Sequence, residues 1–317
     1  TKGNIPKGVA QCAEPDSVHI TETMLDLVDP ALYRFESARN YTIPGDHLPS
    51  RNLYLVTAVI GFSTQDASIE EMTAENCFLN AVALTGTRQE NSDAEAKLYR
   101  QALAIRPDYP EAHNNLGVLL RANGLNSEAA EHYREALQLR PDYPEAHFNY
   151  AVLLQSRQSL SGAAHHYQEA LRLRPNYVDA NYGYASLLRA NGNLDEAQQH
   201  YQQALSLRPE YVEVHNNLAI LLEDRGDHPQ AEKHYREALR ISPGYAEAHY
   251  NYAILLENTG DIGGAKVQYL EALNARHDYP EAHNNLAILL HMDGDLAGAE
   301  LYYLKALERR GDDPQVH

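Results

Sequence analysis

The chain has 317 residues, and its 26 Lys and Arg against 44 Asp and Glu give a formal net charge of −18 at pH 7. Such an acidic surface repels nucleic-acid backbones and anionic lipid headgroups, so we expect no nucleic acid among the partners. Two cysteines are too few for a disulfide scaffold, and the longest mostly apolar run is about half as long as a bilayer-spanning helix, so we expect no membrane span.

Residues 1–66 follow no internal period, and we predict a mixed extension there. Residues 1–15 are predicted to form an extended arm. Two short helices are predicted next, over 17–28 and 30–39, because an Asp-Ser pair can cap the first and Asp29-Pro30 can open the second.

One strand is predicted at the end of this extension. The run from Leu53 to Phe62 is rich in Tyr, Val and Ile and lacks helix caps, which is typical of β-structure. The backbone groups of a strand need hydrogen-bond partners. We therefore expect this strand to lie across the first repeats of the chain or to join another copy of it.

From residue 73 onward the sequence repeats every 34 residues. The phrase PDYPEAHNNLGVLL at 107–120 returns in this frame without an insertion. Seven blocks and the start of an eighth begin at Thr73, Pro107, Pro141, Pro175, Pro209, Pro243, His277 and Gly311. Such strict spacing means that each block is one supersecondary unit, which buries its apolar face on its neighbours.

Each block has the pattern of two amphipathic helices joined by a tight turn. In the block from Pro107, Pro110-Glu111 opens the first helix and Asn123-Gly124 ends it. Ala129, Tyr133 and Ala136 form the apolar stripe of the second helix, which the next proline closes.

These residues resemble the tetratricopeptide repeat. The small residues of that family at its eighth, twentieth and twenty-seventh positions match Gly117, Ala129 and Ala136, and its aromatic and closing proline match Tyr133 and Pro141. Later blocks match in the same way, so the resemblance covers residues 73–317, although the first block is degenerate. The family's usual Trp is replaced by His113, His147, Asn181, His215, His249 and His283.

The resemblance implies an all-α fold, namely a right-handed α-solenoid of tetratricopeptide helix pairs over residues 67–317, preceded by the mixed extension. In this family the first helices of the repeats line a concave groove that binds peptides or partner domains. The family counts its positions from the start of the first helix, so that Pro110 is the first position and Gly117 the eighth. In this count the groove positions are the second, fifth, sixth, ninth, twelfth and thirteenth of each repeat. Function then depends on the side chains at those positions and not on the fold itself.

The sixth position carries a row of asparagines, here termed the asparagine ladder: Asn115, Asn149, Asn217, Asn251 and Asn285, interrupted by Gly183. A carboxamide both donates and accepts, so this row would bind the backbone of an extended peptide whatever its side chains. The tetratricopeptide domain of O-linked N-acetylglucosamine transferases is similar in carrying such a ladder, but no catalytic domain follows it in this sequence. The alternative is that these asparagines hydrogen-bond between repeats and stiffen the array.

The fifth position alternates in character, through Asn114, Phe148, Tyr182, Asn216, Tyr250 and Asn284. Its aromatic residues, Phe148, Tyr182 and Tyr250, are candidate peptide-binding residues because they would anchor ligand side chains. The seventh position changes with the fifth, being Tyr after an aromatic residue and Leu after asparagine. The alternative interpretation of this co-variation is a packing adjustment between adjacent repeats.

Acidic residues occupy the second position, at Glu111, Glu145, Asp179, Glu213, Glu247 and Glu281. They would either select a basic ligand or complement the helix dipole, for about 0.3–1 kcal/mol each. Histidines form two further rows, the first being His113, His147, His215, His249 and His283, and the second His132, His166, His200 and His234. No cysteine or carboxylate completes a ligand set with them, so we expect structural roles and neither metal nor cofactor.

Taken with the repeat pattern, these residues predict a protein-interaction scaffold that binds an extended peptide or a partner protein. No Ser or Cys lies in a nucleophile motif and the acids follow the period, so we expect no enzyme. The alternative is a structural subunit that assembles head-to-tail into a filament or other homo-oligomer. The reason for this alternative is that only seven residues of the eighth block are present, so we expect the preceding repeat to lack a capping helix.

The compartment is left open by the sequence. A start at Thr1 without an apolar signal core indicates a processed or trimmed product, and the sequon at Asn40 would accept a glycan if the chain is exported. The family is more often cytoplasmic. Cys12 and Cys77 are the sole pair, and we expect the arm to fold back so that they lie near each other, bridged or reduced.

Overall fold

The computed structural model describes residues 18–21, 33–37, 53–59, 69–85 and 92–308. Within them the chain forms three short strands followed by fourteen helices. Close contacts divide the chain into two compact units, Thr1–Ser159 and Leu160–His317, and each is described by itself. None of the described helices combines the length and the apolar character that crossing a bilayer requires.

The strands of the extension form one antiparallel sheet. Strands β1 (Val18–Thr21) and β2 (Tyr33–Ser37) pair with the two edges of β3 (Leu53–Val59), in the order β1-β3-β2. The register places Val18 opposite Val56 and Tyr33 opposite Val59. The strand predicted at this point is therefore present, and it is the central strand of the sheet.

The two helices predicted over 17–28 and 30–39 are wrong, because β1 and β2 lie there. Both segments carry β-branched or aromatic residues at alternate positions, a pattern that favours extended backbone. The expectation that β3 needs the repeats or another copy as its partner is also wrong, since both of its edges are paired within the extension.

Four predictions about the extension are not tested by the described residues. The arm over 1–15, with Cys12, and the sequon at Asn40 lie outside them. Cys77 is a half-buried free thiol, and its proximity to Cys12 stays a prediction. So does the boundary between extension and array at residue 66.

The helices alternate between the first and the second helix of a repeat. In the first unit they are α1 (Ile69–Leu84), α2 (Ser92–Ile105), α3 (Pro110–Ala122), α4 (Asn126–Leu139) and α5 (Pro144–Ser156). In the second unit they are α6 (Leu160–Leu173), α7 (Val178–Ala190), α8 (Leu194–Leu207), α9 (Val212–Asp224), α10 (His228–Ile241), α11 (Ala246–Asn258), α12 (Ile262–Ala275), α13 (Pro280–Met292) and α14 (Leu296–Glu308).

The turn after each first helix from α3 onward contains a residue with left-handed backbone. It is glycine in five of these turns, at Gly124, Gly192, Gly226, Gly260 and Gly294, with φ between 77° and 90°. After Gly124 the amide of Leu125 bonds the carbonyl oxygen of Leu120 at 2.8 Å, which closes the helix end. Gln158 takes the same conformation after α5, with φ 60°, at a cost of about 1–2 kcal/mol.

A tyrosine on the second helix is among the largest buried side chains of the core in the five blocks from Pro107 to Pro243. These residues, at most 1% exposed, are Tyr133, Tyr167, Tyr201, Tyr235 and Tyr269. The hydroxyl of Tyr235 donates to Glu223 Oε2 at 3.2 Å and that of Tyr269 to Glu257 Oε2 at 3.0 Å. Tyrosine thus fills the volume of a buried ring and still reaches a polar partner, which accounts for 22 Tyr against 4 Phe.

We predict that Tyr201→Ala lowers the free energy of unfolding by about 3–5 kcal/mol, because the ring is fully buried and leaves a cavity. Urea unfolding followed by circular dichroism measures this loss. The matched control is Tyr303→Ala, since Tyr303 occupies the same repeat position in α14 but is only half-buried. An equal loss in both variants would contradict burial between repeats as the cause.

Candidate functional site

The asparagine ladder lies on the first helices of the repeats, and its amide groups connect adjacent repeats. Four of the five Nδ2 groups donate to the fifth-position residue of the preceding block, and that of Asn115 donates to the Tyr99 hydroxyl at 3.4 Å. The bonds run from Asn149 to Asn114 Oδ1 (2.9 Å), from Asn217 to the Tyr182 hydroxyl (2.9 Å), from Asn251 to Asn216 Oδ1 (3.0 Å) and from Asn285 to the Tyr250 hydroxyl (3.4 Å). The donor half of the ladder is therefore used inside the protein.

This bonding explains why the fifth position alternates between asparagine and tyrosine. Both side chains offer an oxygen that can accept from the ladder amide of the next block. Phe148 offers no such oxygen, and the next block carries Gly183 in place of the ladder asparagine. A side chain at Gly183 would also meet the ring of Tyr167, because an added Cβ would lie 2.8 Å from it.

The seventh-position tyrosines make further bonds toward the preceding second helix. The Tyr184 hydroxyl accepts from Gln168 Nε2 at 2.7 Å, and the Tyr252 hydroxyl donates to Glu232 Oε1 at 2.9 Å. The co-variation of the fifth and seventh positions is thus accompanied by two sets of hydrogen bonds between repeats.

The acceptor half of the ladder is open at three positions. The Oδ1 atoms of Asn149, Asn251 and Asn285 accept no hydrogen bond from the described residues, and all three side chains are partly exposed. Asn217 Oδ1 accepts a long bond of 3.4 Å from its neighbour Asn216. Asn115 is only 4% exposed, so it is unsuited to contact a ligand. The ladder therefore presents acceptors to a ligand, and not the paired donor and acceptor that its sequence predicts.

The aromatic candidates lie beside the ladder and are partly exposed. The ring centroid of Tyr182 lies 5.4 Å from that of Tyr211. Tyr250 is placed in the same way, 4.8 Å from Tyr279. Phe148, the third candidate, is also half-buried. Each tyrosine is held on one side by a neighbouring ring, so its exposed part is a rigid apolar wall.

The acidic row belongs to a recurring three-residue contact, here termed the arginine clamp. An arginine at the end of the second helix pairs with the acid of its own block and lies over the tyrosine that begins the next block. In one clamp Arg276 Nη1 lies 2.6 Å from Glu247 Oε1, and the guanidinium carbon lies 3.5 Å from the Tyr279 ring centroid. In another Arg208 lies 3.5 Å from Asp179 and 4.8 Å from the Tyr211 ring centroid.

Sequence reasoning missed these arginines, although the period could have found them. They follow the acids at a constant offset of 29 residues, as in Glu111 and Arg140, which form an ion pair. Glu111 is only 4% exposed, so it neither faces solvent as a ligand selector nor acts through the helix dipole alone. Where the clamp is complete, the acid belongs to the seam between repeats.

The two histidine rows meet in pairs. His113 Nδ1 lies 2.9 Å from His132 Nδ1, and His215 Nδ1 lies 3.0 Å from His234 Nδ1. His249 Nδ1 makes the equivalent contact with Gln268 Oε1 at 2.8 Å. Within the described part of the chain, no three His, Cys, Asp or Glu side chains are grouped closely enough to hold a metal ion.

The second nitrogen of each first-row histidine determines its tautomer. His113 Nε2 lies 3.0 Å from the Pro107 carbonyl oxygen, and His215 Nε2 lies 2.9 Å from that of Pro209, so both carry a proton on Nε2. Their Nδ1 atoms must then accept the Nδ1 proton of the second-row histidine. Burial, followed by the charge of the paired ring, lowers the pKa of His132 and lowers that of His234 to about 4.

We predict that His132→Gln with His234→Gln weakens the acid sensitivity of the fold. A histidine whose folded pKa lies below its unfolded value of about 6.5 binds more protons when unfolded, so stability falls as the pH drops from there toward about 4. Each group contributes up to about 1.4 kcal/mol per pH unit. Urea unfolding at pH 7.5, 6, 5 and 4.5 should show equal stability at pH 7.5 and a shallower decline in the variant.

Gln268 shows that glutamine fits this position, since it already pairs with His249. The control is His228→Gln, which changes an exposed histidine and should leave the pH profile as it is. A double variant that declines as steeply as the wild type would show that the histidine pairs do not set the acid sensitivity.

Models of the tetratricopeptide repeat match the chain over residues 87–144 and 114–178, 177–244, 222–284 and 281–311. Together these matches extend without a gap from 87 to 311. No curated protein matches the sequence.

Solved structures are similar to the chain at low sequence identity. Pseudomonas aeruginosa pilF is 21% identical with a TM-score of 0.56, over 64% of this chain and 97% of that chain. YrrB, described as a TPR protein with an unusual peptide-binding site, is 19% identical with a TM-score of 0.50, over 59% and 96%. The APC/C hetero-tetramer Cut9-Hcn1 is 12% identical with a TM-score of 0.60, over 77% of this chain and 51% of that chain.

At such identities the structures show a shared fold, an all-α solenoid of helix pairs. The repeat models cover most of the chain with one family, and the buried Ala and Tyr positions agree with that family's pattern. The chain therefore belongs to the tetratricopeptide repeat family.

Proposed function

We propose that this protein is an interaction scaffold that binds an extended polypeptide along the asparagine ladder. The coarser part of this statement, a protein-interaction scaffold built of tetratricopeptide repeats, rests on family membership and fold. Family membership also points to a non-catalytic scaffold. The proposal that an extended peptide binds here rests on the open Oδ1 atoms of Asn251 and Asn285 in the second unit, and Asn149 in the first unit carries an equivalent open atom.

The open oxygens suit the N–H groups of a peptide backbone. Every residue except proline carries such a donor, so acceptors on the ladder bind a chain with little regard to its side chains. The asparagine side chains are already held by their Nδ2 bonds to the preceding repeat, so little conformational entropy is lost when a ligand binds. Rigid acceptors in a row favour a ligand that is extended.

The tyrosines beside the ladder add apolar contact area. Tyr182 and Tyr250 each receive the amide of the next ladder asparagine through their hydroxyls, which holds their rings next to the open oxygens. A ligand side chain can then pack on a ring while its backbone donates to the ladder. YrrB, which has the same fold and is described as having a peptide-binding site, shows that such an array can serve this purpose.

We predict that Asn251→Ala with Asn285→Ala weakens peptide binding by about fivefold to 150-fold, because two charge-neutral hydrogen bonds are each worth about 0.5–1.5 kcal/mol. The probe is the most enriched peptide selected from a random dodecapeptide library on the wild-type protein, measured by fluorescence anisotropy. Absence of any enriched peptide would contradict the proposed function.

The matched control separates ladder chemistry from repeat stability. The double alanine variant also loses the Nδ2 bonds of Asn251 and Asn285 between repeats, so it is expected to melt at a lower temperature. Tyr250→Phe removes one acceptor of such a bond, the hydroxyl that receives Asn285 Nδ2, while leaving the open Oδ1 in place. It should lower the melting temperature with little effect on affinity. If Tyr250→Phe weakens binding as much as the double alanine variant does, the asparagines affect binding by stabilising the fold and not by contacting the peptide.

A second candidate function, self-assembly, is favoured by the apolar face of α14. In this helix Tyr303 is half-buried and Leu307 is 61% exposed, whereas Tyr269 and Leu273 at the same repeat positions in α12 are 0% and 6% exposed. In the array the second helix of one repeat is covered by the first helix of the next, as α8 is by α9. A helix pair from a second copy would therefore fit this face.

A self-assembling subunit is expected to gain mass with concentration in analytical ultracentrifugation, and Tyr303→Lys with Leu307→Lys is expected to keep it monomeric. The control is Leu125→Lys, which changes an exposed leucine in the turn before α4. A wild-type chain that stays monomeric at every concentration would contradict self-assembly.

A further inference from the structure

The arginine of the clamp recurs through the described blocks with one exception. The position that follows the second helix is arginine at Arg106, Arg140, Arg174, Arg208 and Arg276, but it is Ser242 in the block from Pro209. The acid and the tyrosine of that clamp are both still present, as Glu213 and Tyr245. Only the cation that joins them is missing.

Loss of the arginine leaves Glu213 without a partner. Its carboxylate is exposed and forms no ion pair or hydrogen bond with any residue that the structure describes. Nor does a described guanidinium or ammonium group lie over the Tyr245 ring, whereas Arg276 lies 3.5 Å from the ring centroid of Tyr279 in the next clamp. The seam between these two blocks therefore has an unpaired anion and an uncovered ring.

Glu213 and Tyr245 hold the repeat positions of Glu247 and Tyr279, which Arg276 contacts together in the next clamp, and their electrostatic coupling agrees with this placement. Burial, followed by the Glu247 and Glu213 carboxylates, raises the pKa of the Tyr245 hydroxyl to about 12. Burial also raises the pKa of Tyr182, with Tyr201 and Glu213 adding to the effect. The unpaired carboxylate therefore acts on Tyr182, whose hydroxyl accepts a hydrogen bond from the ladder residue Asn217.

The position of Glu213 on its helix connects it to the ladder. Glu213 and Asn217 are four residues apart on α9, so they lie on one face. Asn217 Nδ2 donates to the Tyr182 hydroxyl at 2.9 Å. A polypeptide that lies along the ladder at Asn217 would therefore bring its side chains next to Glu213.

We propose that Glu213, Tyr245 and the space left by Ser242 form a pocket for one arginine side chain of the bound polypeptide. The guest guanidinium takes the place that arginine holds in the other clamps, paired with the carboxylate and stacked on the ring. This inference rests on the proposed peptide-binding function and adds the side chain that the array selects. The planar guanidinium matches both contacts, whereas the compact ammonium of lysine matches only the ion pair.

The backbone at Ser242 already has the conformation of the clamp arginines. Its φ and ψ are −129° and 91°, against −136° and 92° at Arg140 and −137° and 98° at Arg276. Ser242→Arg should therefore fold normally, complete the clamp from within and raise the melting temperature. The same variant would fill the pocket and exclude a guest.

The test compares two nine-residue peptides of glycine and serine, one with a central arginine and its twin with citrulline, which keeps the shape and removes the charge. Fluorescence anisotropy with the full chain should show the arginine peptide binding at least about tenfold more tightly. Ser242→Arg and Glu213→Gln should each reduce this preference to less than about twofold, with the affinity for the citrulline peptide unchanged.

The outcomes separate the pocket from the ladder. Equal binding of the two peptides by the wild type would overturn the arginine pocket and leave ladder binding intact. If neither peptide binds, ethylguanidinium is titrated while the ring signals of Tyr245 are followed by NMR. Shifts in the wild type that are absent in Ser242→Arg would support the pocket even though the proposed function had failed. Absence of shifts in the wild type would overturn it.

Discussion

A helix pair of 34 residues is too small to enclose its own apolar face, so each pair in this chain completes the core of its neighbour. The need to match the next pair explains why the period continues without an insertion from Thr73 onward. It also explains why the same alanines and tyrosines recur, because the space between helices is the same in every block. Tyr201 and Tyr235, both with no exposed surface, show how completely these rings are enclosed.

Stacking of the pairs also brings polar side chains together at every seam. Tyrosine hydroxyls, paired histidines, ladder asparagines and the arginine clamp form hydrogen bonds or ion pairs across or beside most of these seams, whereas Tyr133 Oη and His283 Nδ1 have no hydrogen-bond partner among the described residues. A buried polar group without a partner would cost about 1–3 kcal/mol, so the period that maintains the apolar core must maintain these partners too. Glu111, paired with Arg140 and almost fully buried, is the clearest case.

The proposed ligand sites consist of groups that the seams leave unsatisfied. The Oδ1 atoms of Asn149, Asn251 and Asn285 remain open because only the amide nitrogen is needed between repeats. Glu213 remains unpaired because Ser242 replaces an arginine. In a repeat protein each residue can be compared with the residues at the same position of the other repeats. A residue that departs from this pattern indicates either a local packing conflict or a ligand. Gly183, facing Tyr167, is a departure of the first kind.

The sequence by itself determined the repeat length, the helix pairs and their turns, because these depend on local spacing, on capping residues and on glycine. It also determined which rows of side chains share a helix face. The helices that capping residues predicted over 17–28 and 30–39 were wrong, because β1 and β2 pair with β3, and such pairing joins segments that are distant in the chain. Only the tertiary structure decided whether the nitrogen or the oxygen of each ladder carboxamide is hydrogen-bonded within the protein. It also decided which acids have ion-pair partners. Those outcomes depend on atoms 29 to 35 residues apart, such as Asn251 with Asn216 and Arg276 with Glu247, which meet only when the helix pairs stack.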